Sequence, residues 1–241
     1  MKEQEFELIN RFVNGKYQIY ELNNKSFNYE FYISSIKKLE ELNIIPLRYS
    51  EIVNKISQSE YINIYLDLMR NIKSDKLYKS YIHGINHNIK VSLFALIISV
   101  YENIPLDDFK LIIEASKYHD IGRNGDNEDK EHGLISSKNI DFLCDIYSDD
   151  ELNYLKTIIQ CHSLNDDIFD DIAKENGIKN IERCRKMFKI LKDSDGLDRT
   201  RLEYPYIKIE LLRTDTSKRL IPFSYELNES YKNNLEVNSN E

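Results

Sequence analysis

The chain has little of what builds sheets, tight turns or disulfide frameworks. Of its 241 residues only seven are glycine and four are proline, while Leu, Ile, Lys and Glu are plentiful, a balance that favours helix over sheet. Its three cysteines, Cys144, Cys161 and Cys184, are an odd, widely spaced set with no Cys-x-x-Cys. They suit a reducing compartment and roles as small core residues better than disulfide pairing. The longest apolar run, Val91 to Tyr101, is interrupted by serines and flanked by Lys90 and Glu102. It is too short to span a bilayer and reads as a buried helix. The opening Met-Lys-Glu-Gln-Glu-Phe-Glu lacks the apolar core of a signal peptide. The expectation is a soluble, cytoplasmic protein with no membrane partner. Positive charge is also short: 41 acidic against 33 basic side chains give a formal charge of −8. That argues against a general nucleic-acid partner, although a local basic pocket can still hold a phosphate.

Histidine is scarce, and its distribution is informative. All five, His83, His87, His119, His132 and His162, fall within one third of the sequence. Histidine is the commonest metal ligand and titrates near neutral pH, so this confinement suggests one site with the rest of the chain as its scaffold.

Apolar spacing predicts a series of helices and no strong strand, hence an all-α fold. Residues 1–78 read as an N-terminal helical extension. Its helices are expected at Phe6 to Val13 (broken near Asn14-Gly15), Phe27 to Leu42, Ser50 to Ile56 and Glu60 to Ile72. From Gly84 the character changes. Ile85 to Glu102 is apolar on nearly all sides after Lys90 and is expected to be central. A helix over Leu106 to Asp120 follows, with Gly122 placed as its terminator and Arg123 to Lys130 as a polar loop. Glu131 to Leu143 is expected to be helical. Ser148-Asp149-Asp150-Glu151 has capping-box spacing and should open a helix to Cys161. Asn165 to Asp171 reads as an acidic loop, and Ile181 to Asp195 as a helix. Residues 203–232 are expected to add helices over Ile207 to Leu212 and Pro222 to Tyr231, before a polar, frayed tail at 233–241.

The chemistry-bearing side chains are His87, His119, Asp120, His132, His162 and Asp195. Successive steps of 32, 12, 30 and 33 residues place them on or beside different helices, which a bundle can converge in its core. Imidazole nitrogens and carboxylate oxygens suit borderline divalent ions such as Fe, Mn, Co, Ni or Zn. Six such groups can hold two ions with one carboxylate bridging. Two ions side by side can clamp a phosphoryl oxygen and activate water.

These residues also stand in a familiar order. His-Gly-Ile-Asn-His-Asn-Ile-Lys-Val (83–91), Tyr-His-Asp-Ile-Gly-Arg (118–123), Glu-His-Gly-Leu-Ile-Ser-Ser-Lys (131–138), Ile-Ile-Gln-Cys-His-Ser (158–163) and Leu-Lys-Asp-Ser-Asp-Gly-Leu-Asp-Arg (191–199) resemble the HD-domain metal-dependent phosphohydrolase superfamily. The resemblance covers about residues 80–202, so the HD-type domain is set at 79–202. It implies a helical bundle in which His87, His119, Asp120 and Asp195 bind the first metal. His132 and His162 resemble the additional histidines of two-metal subfamilies, in which Asp120 would bridge. The implied activity is hydrolysis of a phosphate ester or anhydride, on a nucleotide or another small phosphorylated metabolite, through a metal-activated water. The cofactors would be two transition-metal ions, Fe or Mn foremost, with homo-oligomers open. The same ligand order also resembles the superfamily's mixed-valence di-iron oxygenases, and a non-enzymatic nucleotide sensor is a third reading. Two departures stand out. Lys90 replaces an arginine common in relatives, which keeps charge but loses the bidentate fork. The Gly-Tyr-Pro signature of one cyclic-dinucleotide subfamily is absent.

Around the ligands, Lys90 and Arg123 are candidate phosphate contacts, with salt bridges as the competing role; Arg199 and Arg201 follow the same logic. His83 is a candidate proton donor or merely a helix cap. His132 and His162 alternatively bind substrate or orient water. Among the three neighbouring carboxylates Asp195 is the ligand, Asp198 a support for a ligating histidine, and Asp193 a solvated group. The acidic run Asp166, Asp167, Asp170 and Asp171 reads as a solvated loop.

Overall fold

A helix that is apolar on every side has to be surrounded, and Val91 to Val100 is such a stretch. The computed structural model describes residues 28–202 and 206–238, together with 11, 12, 16, 19, 22, 25 and 26. Among these residues the chain forms eleven α-helices and no strand. In chain order they are α1 (Tyr29–Glu41), α2 (Tyr49–Ser57), α3 (Tyr61–Arg70), α4 (Ile85–Tyr101), α5 (Leu106–Tyr118), α6 (His132–Lys138), α7 (Asp149–Cys161), α8 (Phe169–Glu175), α9 (Ile181–Leu197), α10 (Asp215–Arg219) and α11 (Ile221–Asn238). The all-α expectation holds. No helix among the described residues is long and apolar enough to cross a membrane.

Helix α4 is buried without a break from His87 to Val100. Helices α5 and α9 pack against it, and α7 packs against both of these. Helices α2 and α3 also pack on α4, α3 lies on α5, and α1 lies against α11. One continuous apolar cluster runs through all of these layers, from Phe12 and Leu39 through Phe94, Ile112 and Leu155 to Leu191 and Phe223. Of the first expected helix only Arg11 and Phe12 are described, both helical, and the Asn14-Gly15 break lies outside the described residues. Phe12 is buried, its ring 5.4 Å from Tyr49 and 5.8 Å from Phe223.

The capping box at Ser148 forms as expected: its amide donates to Glu151 Oε2 at 2.8 Å, and its hydroxyl accepts from the Glu151 amide. Elsewhere the sequence reading needs correction. The helix after the polar loop ends at Lys138, not Leu143; Asn139 leaves the helical region, and a 3-10 turn at Asp141–Leu143 buries Leu143. The acidic stretch contains the start of α8, because Phe169 stacks on Phe188 of α9 with centroids 4.5 Å apart and so draws that backbone onto the core. The helix expected at Ile207 to Leu212 is a single 3-10 turn, Ile209–Leu211. Helix α11 continues to Asn238, since no glycine or proline interrupts it after Pro222. Cys161 and Cys184 are core residues, whereas Cys144 is exposed.

Asp193 is the largest correction, because it is not solvated at all. It is fully buried on α9, where it accepts from the amides of Arg213 and Thr214, from Thr214 Oγ1 and Ser217 Oγ, and from Arg213 Nη1, all between 2.8 and 3.1 Å. One carboxylate thus organises the start of α10 and fixes the C-terminal segment to α9. Removing this acceptor leaves two amides and two hydroxyls without it, and each buried group left unsatisfied costs about 1–3 kcal/mol, so a total of roughly 3–5 kcal/mol is expected. Asp193→Ala should lose about that much stability in urea unfolding; an unchanged midpoint would contradict this assignment.

Candidate metal centre

Five helix ends meet on one side of α4. His87 lies in the first turn of α4, His119 caps the C-terminus of α5 with Asp120 beside it, and His132 opens α6. His162 caps α7, and Asp195 sits in the last turn of α9. Three of these are C-terminal ends, whose unpaired carbonyls and partial negative charge favour a cation.

Those carbonyls also orient the rings. His119 Nδ1 faces Ser116 O at 3.0 Å, and His162 Nδ1 faces Ile159 O at 2.6 Å. His132 Nδ1 faces Asp129 O in the same way, three residues back. His87 Nδ1 instead meets Asp198 Oδ2 at 2.7 Å. Carbonyl and carboxylate oxygens only accept, so each ring carries its proton on Nδ1 and turns the Nε2 lone pair inward.

The inward atoms form two groups around one carboxylate. His87 Nε2 stands 3.2 Å from His119 Nε2, 3.2 Å from Asp195 Oδ1 and 3.5 Å from Asp120 Oδ2, while His119 Nε2 is 3.6 Å from the same Asp120 oxygen. On the other side His132 Nε2 is 2.9 Å from His162 Nε2 and 3.1 Å from Asp120 Oδ1; His162 Nε2 is 3.6 Å from that oxygen. His119 Nε2 is 3.9 Å from Asp195 Oδ1. Ligands about 2.1 Å from one ion stand about 3.0–3.4 Å apart at octahedral or tetrahedral angles and about 4.2 Å apart when opposite, so both groups are close to the spacing of donors to a single ion. Asp120 Oδ2 has no hydrogen-bond partner among the described residues although it is buried, a costly state unless a cation completes it. The donor set therefore fits two borderline divalent ions sharing Asp120.

Burial pushes His119 down to about 3, so it stays a neutral donor. In His87, burial and Arg201 lower the pKa, but Asp195 and Asp198 outweigh them and the net shift is upward. Asp120 accepts from Arg123 Nε at 2.9 Å, which favours its anionic form despite burial. Burial opposes ionisation of Asp195, but His87 holds its carboxyl far below the usual range, so both carboxylates are suited to act as anionic ligands.

All six expected ligands come together. The supporting residues are partly different from expectation. Asp198 does orient His87, and it is fully buried. Lys90, read as a phosphate contact, is instead buried beside it: Nζ lies 3.0 Å from Asp198 Oδ1 and also donates to Asn228 Oδ1. Arg201 stands 3.2 Å from Asp198 Oδ2 and donates to Ile82 O. Burial opposes ionisation of Asp198, but Lys90 and Arg201 hold its pKa far below normal. Asn228, beyond the stretch that carries the resemblance, donates to Asp198 Oδ1 at 3.2 Å and to Thr200 Oγ1 at 2.7 Å. Its signal in the sequence was a polar residue on the apolar stripe of α11, four positions after buried Ser224.

His83 precedes the helix, with Gly84 as the N-cap, so it does not share a helical face with His87. Its Nδ1 pairs with Asp126 Oδ1 at 2.9 Å, and Ser80 Oγ donates to the same oxygen at 2.6 Å. Asp126 belongs to the stretch expected only to be a polar loop, Arg123 to Lys130. Arg123 Nε donates to Asp120 Oδ1 at 2.9 Å, while Arg199 is exposed. In the acidic run, Asp166 pairs with Arg213 and Lys192, and Asp170 with Arg185; it forms no third donor group.

Two glycines set the approach of α6. Gly122 is not a left-handed terminator; the positive-φ residues among those described are Asn43, Asn103 and Gly177. A Cβ on Gly122 would sit 2.3 Å from Ser136 N, and one on Gly133 would sit 2.8 Å from Gln160 O. Their bareness lets α6 press against the turn after Asp120 and against the end of α7, which brings His132 to His162.

Comparison of the chain with protein-family models, curated proteins and solved structures finds no match. The reading therefore rests on geometry and motif order. Outer partners of a ligating histidine typically contribute 10–100-fold, roughly, to metal affinity. Asp198→Asn should weaken the first ion by about that factor in competition with a chelator, with the far-UV spectrum unchanged; equal affinity would remove Asp198 from the centre.

Proposed function

We propose that the chain is a metal-dependent phosphohydrolase of the HD type, acting on phosphate ester or anhydride bonds of a nucleotide or other small phosphorylated metabolite. The observation that carries this reading is the placement of Asp120, whose two carboxylate oxygens each face a separate pair of inward Nε2 lone pairs. Its motif resemblance supplies the reaction class.

His87, His119, Asp195 and Asp120 Oδ2 would hold one ion, and His132, His162 and Asp120 Oδ1 the other. Two adjacent divalent ions supply charge neutralisation for phosphoryl oxygens and a water activated at neutral pH. The histidines are shut off from solvent, whereas the Asp195 side chain is 34% exposed, so substrate would enter beside Asp195. Arg123 reaches the Asp120 carboxylate from the loop and is the residue suited to a substrate phosphate. His83, held with its proton on Nδ1 by Asp126, would leave Nε2 as a base that takes a proton from the attacking water and then passes it to the leaving oxygen. Lys90 belongs to the support of Asp198 and takes no part in phosphate contact. With a net charge of −8, a compact anion neutralised by metal suits the site better than a long nucleic acid.

The test is Asp120→Ala assayed on a panel of phosphodiesters, nucleotides and pyrophosphate with Mn2+. Activity should fall to background while the protein stays helical by circular dichroism. Full activity in that variant would rule out this mechanism, and oxygen uptake by iron-loaded wild type without phosphate release would reassign the centre to oxygenase chemistry.

A further inference from the structure

The two halves of the centre are unequal, and the difference converges on Arg123. The Arg123 amide donates to Asp120 O at 3.1 Å, closing a tight turn that folds the guanidinium back onto the Asp120 carboxylate. Nε then donates to Oδ1 at 2.9 Å, while Nη1 donates to Asn127 O at 3.3 Å and so anchors the fork in the loop. The other oxygen, Oδ2, has no hydrogen-bond partner. Arg123 therefore occupies only the oxygen that faces His132 and His162.

The donor sets differ in the same sense. On the Oδ2 side stand two imidazoles and a second carboxylate, Asp195, with the anionic Asp198 behind His87. On the Oδ1 side stand two imidazoles backed by the neutral carbonyls of Asp129 and Ile159, and the one carboxylate oxygen present is already paired with a permanent cation. A divalent ion there must displace the guanidinium or bear its repulsion across a site that excludes water, where charges are poorly screened.

We infer that Arg123 is a built-in competitor for the second metal position, so that the two ions bind in order. The His87–His119–Asp195 side fills first and tightly; the His132–His162 side fills second and weakly, as Arg123 releases Asp120 Oδ1. That release frees the guanidinium fork beside the centre, so occupation of the second position readies the group proposed to take the substrate phosphate. Arg123 acts here as a positioning residue for the metal. This inference rests on the two-ion reading above.

The experiment is calorimetric titration of Mn2+ into metal-stripped protein, with elemental analysis for stoichiometry and circular dichroism for fold. The wild type should show one tight and one weak step, and His132→Asn should lose the weak one. Arg123→Met should tighten the second step by about tenfold or more, the scale of outer-sphere effects on metal affinity, and leave the first unchanged. Arg123→Lys, which keeps the charge, should retain a weak second step. Two equal steps in the wild type, or an Arg123→Met second step no tighter than wild type, would overturn the competition while leaving two-ion binding intact. No Mn2+ uptake by the wild type would overturn both.

Discussion

The structure depends on keeping one carboxylate, Asp120, buried between two pairs of imidazole lone pairs. Left alone, such a set is repulsive: neutral Nε2 atoms face each other at 3.2 and 2.9 Å, and one oxygen of the buried carboxylate has no hydrogen-bond partner among the described residues. Its tolerance by the fold is the strongest physical argument that cations complete it. The surrounding helices suit a cation, since three of the five converging segments present their C-termini, where a cation is favoured and terminal carbonyls accept from imidazole Nδ1.

A second ring of charge fixes the first. Lys90, Arg201 and Asn228 surround Asp198, which orients His87, so α4, α9 and the C-terminal helix α11 act on one ring nitrogen. Asp193, two residues before Asp195, does the corresponding task on the far face of α9 by binding the start of α10. Helix α9 thus carries a structural carboxylate, one that faces the histidine cluster and, at its C-terminal cap, one that orients His87. Arg123 adds the one cation that touches the shared carboxylate directly, and it does so on a single oxygen.

Much of this was legible in the residues. The helix carrying His87 is uniformly apolar and had to be central; His119-Asp120 closes a periodic helix; His132 and His162 lie at other helix ends, and all converge as expected. What was not legible depended on contacts between distant segments. Residues 193 and 195 lie about 200° apart around a helix, so only one of them can face the centre; what awaited the other was hidden until α10 was placed. Lys90 follows His87 by three residues and was free to point at substrate or at Asp198, a choice made by Asn228 on α11. The start of α8 followed from Phe188, nineteen positions after Phe169. Gly122 looked like a terminator, whereas its actual constraint is the close passage of α6.

The central claim is that the buried cluster is a pair of metal positions. Elemental analysis of protein purified with neither added metal nor chelator tests it most directly. The account predicts at least one transition-metal ion per chain retained through purification, rising to two, one at each donor group, after soaking with excess Mn2+. A chain that retains no ion and takes up none after soaking with Mn2+ or Ni2+ would contradict it.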